Sequence, residues 1–483
     1  MPFSTRAFEP AIMVFSDLLF IFQFLAAFAL CYLVAGLIDR NGAKMTPDGL
    51  KKSFKGRNLI TVIFSLIFYA WGEPVYVFLM ILCVFVNYLC GIAIDTNVKH
   101  RKLGLVLGII FNLAVLATFK YLGFFADILG SLGLHVAVPT LALPIGISFY
   151  TFQSMSYLID VYRKDSPPQK RFLDLLFYIS MFPQLIAGPI VRYGTIAKEI
   201  GDRRVTWDDF AEGSYRFLIG LGKKVIIANQ ISTVADYFLA ANPETFSTAG
   251  SWIGLLAFTF QIYYDFSGYS DMAIGLGRCL GFHFNENFDH PYISRSITEF
   301  WRRWHISLGS FFRDYLYIPL GGNRRHQALN ILIVWFLTGM WHGASWNFII
   351  WGLYFGLIVM IEKYTLLKVY DKIPKIFLHL YSIFLFTLGW GIFYFDDLGK
   401  MKTLFSSLFG NAGAASDFTV VSALTNNFWL WIAAIIFAMP VRKLFARFKW
   451  VWYLRAAVAV VILVFSVALL VGATNNPFLY FRF

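Results

Sequence analysis

The sequence predicts an all-α fold: a polytopic integral membrane protein of about eleven transmembrane helices, with re-entrant and interfacial helices between some of them. Three observations lead there. Of 483 residues, 58% are hydrophobic, 19% aromatic and only 14% charged, a balance that a water-soluble domain does not show. The apolar residues gather into long runs, and the net charge of +13 is dispersed through the short connections between them. Basic residues so placed are topology signals that mark cytoplasmic loops, so no nucleic-acid partner is implied and the lipid bilayer is the first partner.

The first span runs from Ile12 to Ile38, too long for a signal peptide and followed by Asp39 and Arg40 without a small-residue cleavage site. The connection to Arg57 holds Arg40, Lys44, Lys51, Lys52, Lys55 and Arg57 against Asp39 and Asp48, and should be cytoplasmic. Spans over 58–71 and 75–94 follow, separated by Trp71-Gly72-Glu73-Pro74, whose proline cannot continue a helix. Lys99, Arg101 and Lys102 mark the next inner loop. A fourth span covers 104–128 and a fifth 142–161, ending at Arg163, Lys164, Lys170 and Arg171. Between 172 and 282 the apolar pieces are interrupted by Pro183, Pro189, Arg203-Arg204 and Lys223-Lys224, which suits re-entrant or interfacial segments. Later spans fall near 376–395, 428–440 and 456–473. The last two are separated by an inner basic stretch with Arg442, Lys443, Arg447, Lys449 and Arg455. Cys31, Cys83, Cys90 and Cys279 lie in or beside apolar runs without paired spacing, so neither a disulfide framework nor a zinc ribbon is indicated. The whole chain, 1–483, reads as a single membrane-embedded domain.

Residues 283–327 form a polar, cytoplasmic-side amphipathic segment with His283, His290, His305 and His326 and six arginines. Within it SITEFWRRWHISLGSFFRDYLYIPLGG reads as one amphipathic helix. Ser296 and Glu299 make a capping box, and Pro319 with Gly321-Gly322 ends it. Trp301, Trp304, His305, Leu308, Phe311, Phe312 and Tyr315 share one side. Such a helix can lie in the inner interface with its arginines toward headgroups or a phosphate-bearing ligand; a lipid-facing anchor explains the aromatics equally well.

The stretch LTGMWHGASWNFIIWGLYFG places His342 at a break between two apolar runs. From Ala328 to Met340 a helix would rise about 20 Å, short of the roughly 30 Å hydrocarbon core. The chain then breaks at Gly343-Ala344-Ser345 and returns through 348–361 to Glu362 and Lys363. His342 therefore belongs near the tip of an intramembrane hairpin, where a polar group must face protein or a wet cavity. Ionisable groups inside a membrane are functional candidates, and a neutral imidazole there can serve as a base; a structural histidine bonded to a carbonyl is the alternative. Asp265 and Asp271, in QIYYDFSGYSDMAIGLG, call for partners or a water-filled cavity, or bond to backbone at a helix break. Gly343-Ala344-Ser345-Trp346-Asn347 lacks the last glycine of a nucleophile elbow. Gly275, Gly277 and Gly281 lack the strand of a nucleotide fold and suit close helix packing. No third ligand accompanies His305 or His342 at metal-binding spacing, so no metal is expected.

EFWRRWHISLGSFFRDYLYIPLGGNR followed by LTGMWHGASWNFIIWGLYFG resembles the paired signature of the membrane-bound O-acyltransferase family. PIGISFYTFQSMSYLIDVYR, FPQLIAGPIVR and DFSGYSDMAIGLG resemble its bacterial branch, which includes alginate O-acetyltransferase membrane subunits and relatives in cellulose acetylation and teichoic acid D-alanylation. The likeness begins at Met13, leaving 1–12 as an upstream extension, and ends with FLYFRF. Phe355 departs from it, since relatives often carry a histidine there. The resemblance implies helices around a central funnel in the bacterial inner membrane. It implies acyl transfer from cytoplasmic acetyl-CoA, a substrate with no tightly bound cofactor, to an exopolysaccharide, alginate foremost, through a periplasmic acetyltransferase partner and the polysaccharide machinery. Carried over by position, His342 is the essential histidine and His305 the second. His342 would lie deep and act as base, and His305 would lie nearer the inner face and position the donor. Arg302, Arg303, Arg313 and Trp304 become candidate donor contacts, and Asp265, Asp271 and Asn347 secondary polar candidates. Two readings compete: a proton-coupled transporter with His342, Asp265 and Asp271 as relay, and an assembly subunit of an export complex with inert histidines.

Overall fold

The computed structural model describes residues 12–41, 44–46, 49–51, 54–96, 100–186, 188–240, 247–441, 449–473 and 478–479. Residues 1–11 and the basic residues Lys52, Lys99, Arg442, Lys443 and Arg447 lie outside them. The described chain is helical apart from one two-stranded antiparallel hairpin, β1 (Lys44–Thr46) and β2 (Gly49–Lys51), within the basic connection read as a loop. Two compact units divide it, one of residues up to 214 with 272–284, the other of 215–271 with 285–483.

In the first unit, α1 (Leu25–Asn41) is preceded by a π turn at Phe20–Phe24, and α2 (Lys55–Gly72) returns alongside it. Asp39 closes the connection, accepting the Gly56 and Arg57 backbone N–H groups at 2.8 and 3.0 Å. A carboxylate there satisfies donors that the first turn of α2 cannot pair within the helix. Then come α3 (Tyr76–Thr96), α4 (Arg101–Leu116) and α5 (Leu122–Ser131), the last two joined by a π turn into one long rod. The helix α6 (Ile147–Arg163) starts five residues later than the sequence suggests. Gly146 sits at φ 72°, and a Cβ on it would come within 2.9 Å of the Leu185 carbonyl, so Pro144 to Gly146 forms a turn instead.

The stretch from 172 breaks up as its prolines suggest, into α7 (Phe172–Ser180), α8 (Phe182–Leu185) and α9 (Tyr193–Gly201). Arg203, read as an interruption, is 4% exposed. Its guanidinium lies between the Phe54 and Phe282 rings, 4.4 and 4.6 Å from their centroids, and donates to the Leu280 carbonyl at 2.9 Å.

The Lys223-Lys224 pair interrupts nothing: α10 (Trp207–Gly222) passes through a π turn at Lys223–Ala228 into α11 (Asn229–Leu239). Both lysines find carboxylates on α12 (Thr248–Cys279), Lys223 with Asp271 at 2.6 Å and Lys224 with Asp265 at 2.5 Å. An apolar helix can carry cations this way, because a buried charge is tolerated when paired.

The second unit continues with α13 (Ile297–Arg303), α14 (Ile306–Phe312), α15 (Gln327–His342), α16 (Trp346–Tyr364), α17 (Leu366–Val369) and α18 (Lys375–Tyr394). It ends with α19 (Leu398–Leu408), α20 (Phe418–Asn426), α21 (Phe428–Ala438) and α22 (Lys449–Val471). Among the described residues six helical stretches are long and apolar enough to cross a membrane, or seven if α20 and α21, bent by 65°, form one broken span. The chain is a multi-pass membrane protein.

Helices α15 and α16 touch backbone to backbone. A Cβ on Gly339 would stand 2.2 Å from the Phe348 carbonyl oxygen, and one on Gly352 would stand 2.4 Å from that of Trp335. Neither oxygen can swing away, since each belongs to a helical ladder. Gly352→Val is therefore expected to destabilise the second unit by at least the usual overpacking cost of about 1–3 kcal/mol, read as a lower thermal midpoint of the detergent-solubilised protein; an unchanged midpoint would refute the close contact.

Candidate active site

The helix read from Ser296 to Tyr317 is in fact broken beneath the second histidine. Its start is as expected: Ser296 Oγ accepts the Glu299 N–H at 3.0 Å. The box is only half closed, because Glu299 takes the Arg295 N–H at 3.0 Å rather than that of Ser296. After Arg303 the chain turns through Trp304 to His305, which adopts φ 46° and ψ 53° before α14 begins. What holds this break is Asn287. Its backbone carbonyl accepts the Ile306 N–H at 3.0 Å and its side-chain Oδ1 accepts the Ser307 N–H at 3.2 Å, so one residue caps a helix that begins nineteen positions later in the chain. Asn287 is fully buried. The aromatic stripe, which its spacing put on one side without saying what it faces, points inward, with Trp304, His305, Leu308, Phe311 and Phe312 all buried.

A second device fixes the start of α13. Glu362, on α16, is 0% exposed, and its carboxylate accepts the Ile297 and Thr298 N–H groups at 2.6 and 2.7 Å. The helix that begins just beyond His342 thus caps, at its far end, the helix that leads to His305. The negative carboxylate also faces the positive end of a helix dipole.

His342 ends α15 and is half-buried. Its ring lies 4.9 Å from Trp351, 5.2 Å from Phe393 and 5.0 Å from Trp341, centroid to centroid. Trp341 reaches the other histidine as well, 5.8 Å from the His305 ring. Both histidines therefore stand against one indole. His305 is the more enclosed of the two, at 2% exposure, and Phe266 meets it edge-on at 4.7 Å. Enclosure by protein is a separate quantity from depth along a membrane, to which the order expected from the sequence refers. The His305 Nδ1 lies 3.2 Å from Asn287 Oδ1, and its Nε2, also buried, has no hydrogen-bond partner among the described residues.

The remaining candidates are distributed around this pair. Asn347 is fully buried beyond the break. Its Nδ2 donates to the Phe393 carbonyl at 3.3 Å, while its Oδ1 has no partner. Trp304 belongs to the aromatic core, 4.7 Å from the Trp390 ring and 5.1 Å from that of Phe288. Arg303 is held by Glu299 at 3.0 Å and Asp289 at 3.1 Å, and Arg313 by Asp314 at 2.6 Å. Burial works to raise the Glu299 pKa, but the Arg295 N–H and the Arg303 guanidinium outweigh it and hold the carboxyl below its ordinary value. Arg302 is exposed and makes no ion pair among the described residues.

Asp265 and Asp271 are accounted for as counter-charges. Asp265 also accepts the Leu479 N–H at 2.8 Å. Asp271 binds Arg216 at 2.8 Å besides Lys223, and Arg216 in turn pairs with Glu286. No group of three potential metal ligands occurs among the described residues. Phe355 is completely buried, and a Cβ on Gly389 would lie 2.3 Å from its ring, so that position is filled by packing. Sequence reasoning missed Asn287 and Glu362. An amide in a polar loop and a glutamate at a helix end carry no signal until the fold brings them to a distant helix start.

Comparison with known proteins identifies the family of the chain. The profile of the membrane-bound O-acyltransferase family matches residues 63–372. The chain is 42% identical over 411 residues to a probable alginate O-acetylase of Azotobacter vinelandii, covering 82% of this chain and 78% of that one. It is 34% identical over 441 residues to a peptidoglycan O-acetyltransferase of Helicobacter pylori, covering 84% and 81%. A teichoic acid D-alanyltransferase of Bacillus subtilis is 30% identical over 256 residues, covering 48% of this chain and 62% of its own.

Removing the buried carboxylate from the start of α13 strands two backbone donors. Glu362→Ala is expected to cost about 1–3 kcal/mol, the range for lost caps and charged hydrogen bonds, and to lower the denaturation midpoint in detergent. A midpoint within error of the parent would show that α13 does not depend on this cap.

Proposed function

We propose a reaction for this chain from one premise: it belongs to the membrane-bound O-acyltransferase family. The chain takes the acetyl group of cytoplasmic acetyl-CoA and passes it across the bacterial inner membrane. The destination is an exopolysaccharide hydroxyl, alginate foremost, reached through a periplasmic acetyltransferase partner working with the polysaccharide machinery. In this reading about eleven spans surround a central funnel, the number expected from the apolar runs. The observation that supports it most is the pairing of His305 and His342 across the Trp341 indole, each at a helix break, the one at His305 capped by Asn287.

The chemistry follows from a neutral imidazole beside a thioester. His342 takes the proton from a hydroxyl, on the partner or on a transient acceptor, as the oxygen attacks the acetyl carbonyl carbon. A C–O bond forms, the C–S bond breaks, and the imidazolium returns its proton to the departing coenzyme A sulfur. His305 positions the donor. Arg302, uncommitted among the described residues, is the best placed of the three arginines to meet donor phosphates, since Arg303 and Arg313 are neutralised by neighbouring carboxylates. A transporter relay draws no support here, because Asp265 and Asp271 each serve a lysine.

The relatives act by their names on alginate, peptidoglycan and teichoic acid. They share a transfer of a small acyl group and differ in the acceptor. Cellulose acetylation and teichoic acid D-alanylation are the alternatives; cellulose as acceptor would single out the first, and a D-alanyl rather than acetyl donor the second.

General-base catalysis contributes about 10²- to 10⁴-fold. His342→Ala should lose at least the lower figure in release of free coenzyme A from acetyl-CoA, while eluting as the parent does in size-exclusion chromatography; parental turnover would remove His342 from the mechanism. The purified chain alone should acetylate soluble alginate poorly and gain activity when the periplasmic partner is added. Efficient acetylation without a partner would overturn the relay.

A further inference from the structure

We propose that Asn287 is a positioning residue that locks His305 in its Nδ1–H tautomer, so that the Nε2 lone pair is presented to an N–H or O–H of a substrate. The proposal deepens the acyltransferase reading and rests on it for the identity of that substrate.

The assignment follows from which groups can only donate. A backbone N–H has no other role, and that of Ser307 lies 3.2 Å from Asn287 Oδ1. The amide oxygen, not its nitrogen, therefore occupies this position. The Ser307 hydroxyl donates to the same oxygen at 2.8 Å. His305 Nδ1, 3.2 Å from that oxygen and 3.4 Å from the hydroxyl, faces acceptors, and an imidazole nitrogen facing an acceptor must carry the proton. In the neutral ring the other nitrogen is then bare. A second proton on Nε2 would bury a cation at a site where the structure pairs Nε2 with nothing, a costly arrangement.

A buried acceptor left unmatched costs stability unless something meets it. Nε2 sits on a ring 2% exposed, walled by Phe266 and Trp341, and Trp341 also touches His342. The groups that can reach it in a thioester-dependent transfer are the amide N–H of a pantetheine arm and the hydroxyl of the acceptor. Both are hydrogen-bond donors, and only the kinetics tell them apart. The logic is that of a catalytic histidine oriented by a third residue, where a mis-set tautomer lowers the rate by about 10⁴-fold.

The test pairs a spectroscopic readout with kinetics on the full-length protein in nanodiscs. ¹⁵N-histidine spectra, with His305 assigned by its loss in His305→Gln, should show the Nδ1–H form in the parent protein. Asn287→Ala should redistribute the tautomers, and Asn287→Asp, which keeps an acceptor oxygen, should retain Nδ1–H. Free coenzyme A release should fall at least about tenfold in kcat/KM for Asn287→Ala and recover most of that loss in Asn287→Asp. A rise confined to KM for acetyl-CoA would assign the contact to the pantetheine amide, and a fall confined to kcat would assign it to the acceptor hydroxyl. An Nε2–H signal in the parent protein, or a tautomer indifferent to Asn287→Ala, overturns the proposal. So does a loss in Asn287→Ala that Asn287→Asp fails to recover, or one seen in thermal midpoint alone. If the parent protein releases no coenzyme A, the acetyl-CoA reading fails while the tautomer result still stands.

Discussion

A helix broken inside an apolar body exposes backbone donors that water cannot reach, and the whole arrangement around the two histidines depends on satisfying them. Asn287 supplies acceptors for the first turn of α14, and Glu362 supplies them for the first turn of α13. Without the Asn287 acceptors, a continuous helix from Ser296 to Tyr317 would be the cheaper course. His305 would then point wherever the helical repeat carried it. With them the chain can turn at Trp304 and His305, and the imidazole is held by the same residue that permits the turn. Structural and chemical roles coincide because both draw on one amide oxygen.

Charge is handled by the same economy. Lys223, Lys224 and Arg216 face Asp271 and Asp265 across neighbouring helices, and Arg203 is enclosed by aromatic rings and carbonyls. Burying an ion pair is seldom favourable in itself, yet losing one partner leaves a bare charge, so these pairs fix how the helices register against each other. The carboxylates that looked like site candidates are accounted for by that requirement. What remains chemically unusual is small and uncharged: a bare imidazole nitrogen, an amide oxygen on Asn347 and a second imidazole between tryptophans.

Relatives named for alginate, peptidoglycan and teichoic acid share this chain's length to different extents. A core that supports several acceptors needs a constant place for the acyl group and a variable place for the hydroxyl. The aromatic enclosure of His305 and His342 suits the constant part. It is built from residues whose positions are set by packing.

Much of this was legible in the residues. The apolar runs set most helices within a few positions, Ser296 announced the start of α13, and the broken run at Gly343-Ala344-Ser345 marked His342, because hydrophobic spacing and capping residues act locally. The sequence could not disclose that Lys223 and Lys224 lie within a continuous helix, since their neutralising carboxylates stand more than forty residues away. Nor could it show that the stretch around His305 is two helices. That break is decided by an asparagine arriving from elsewhere in the fold. Local pattern determined which segments are helical and where the two histidines fall among them. Long-range hydrogen bonds decided how His305 is oriented, because an acceptor satisfies a helix end only after tertiary folding brings it there.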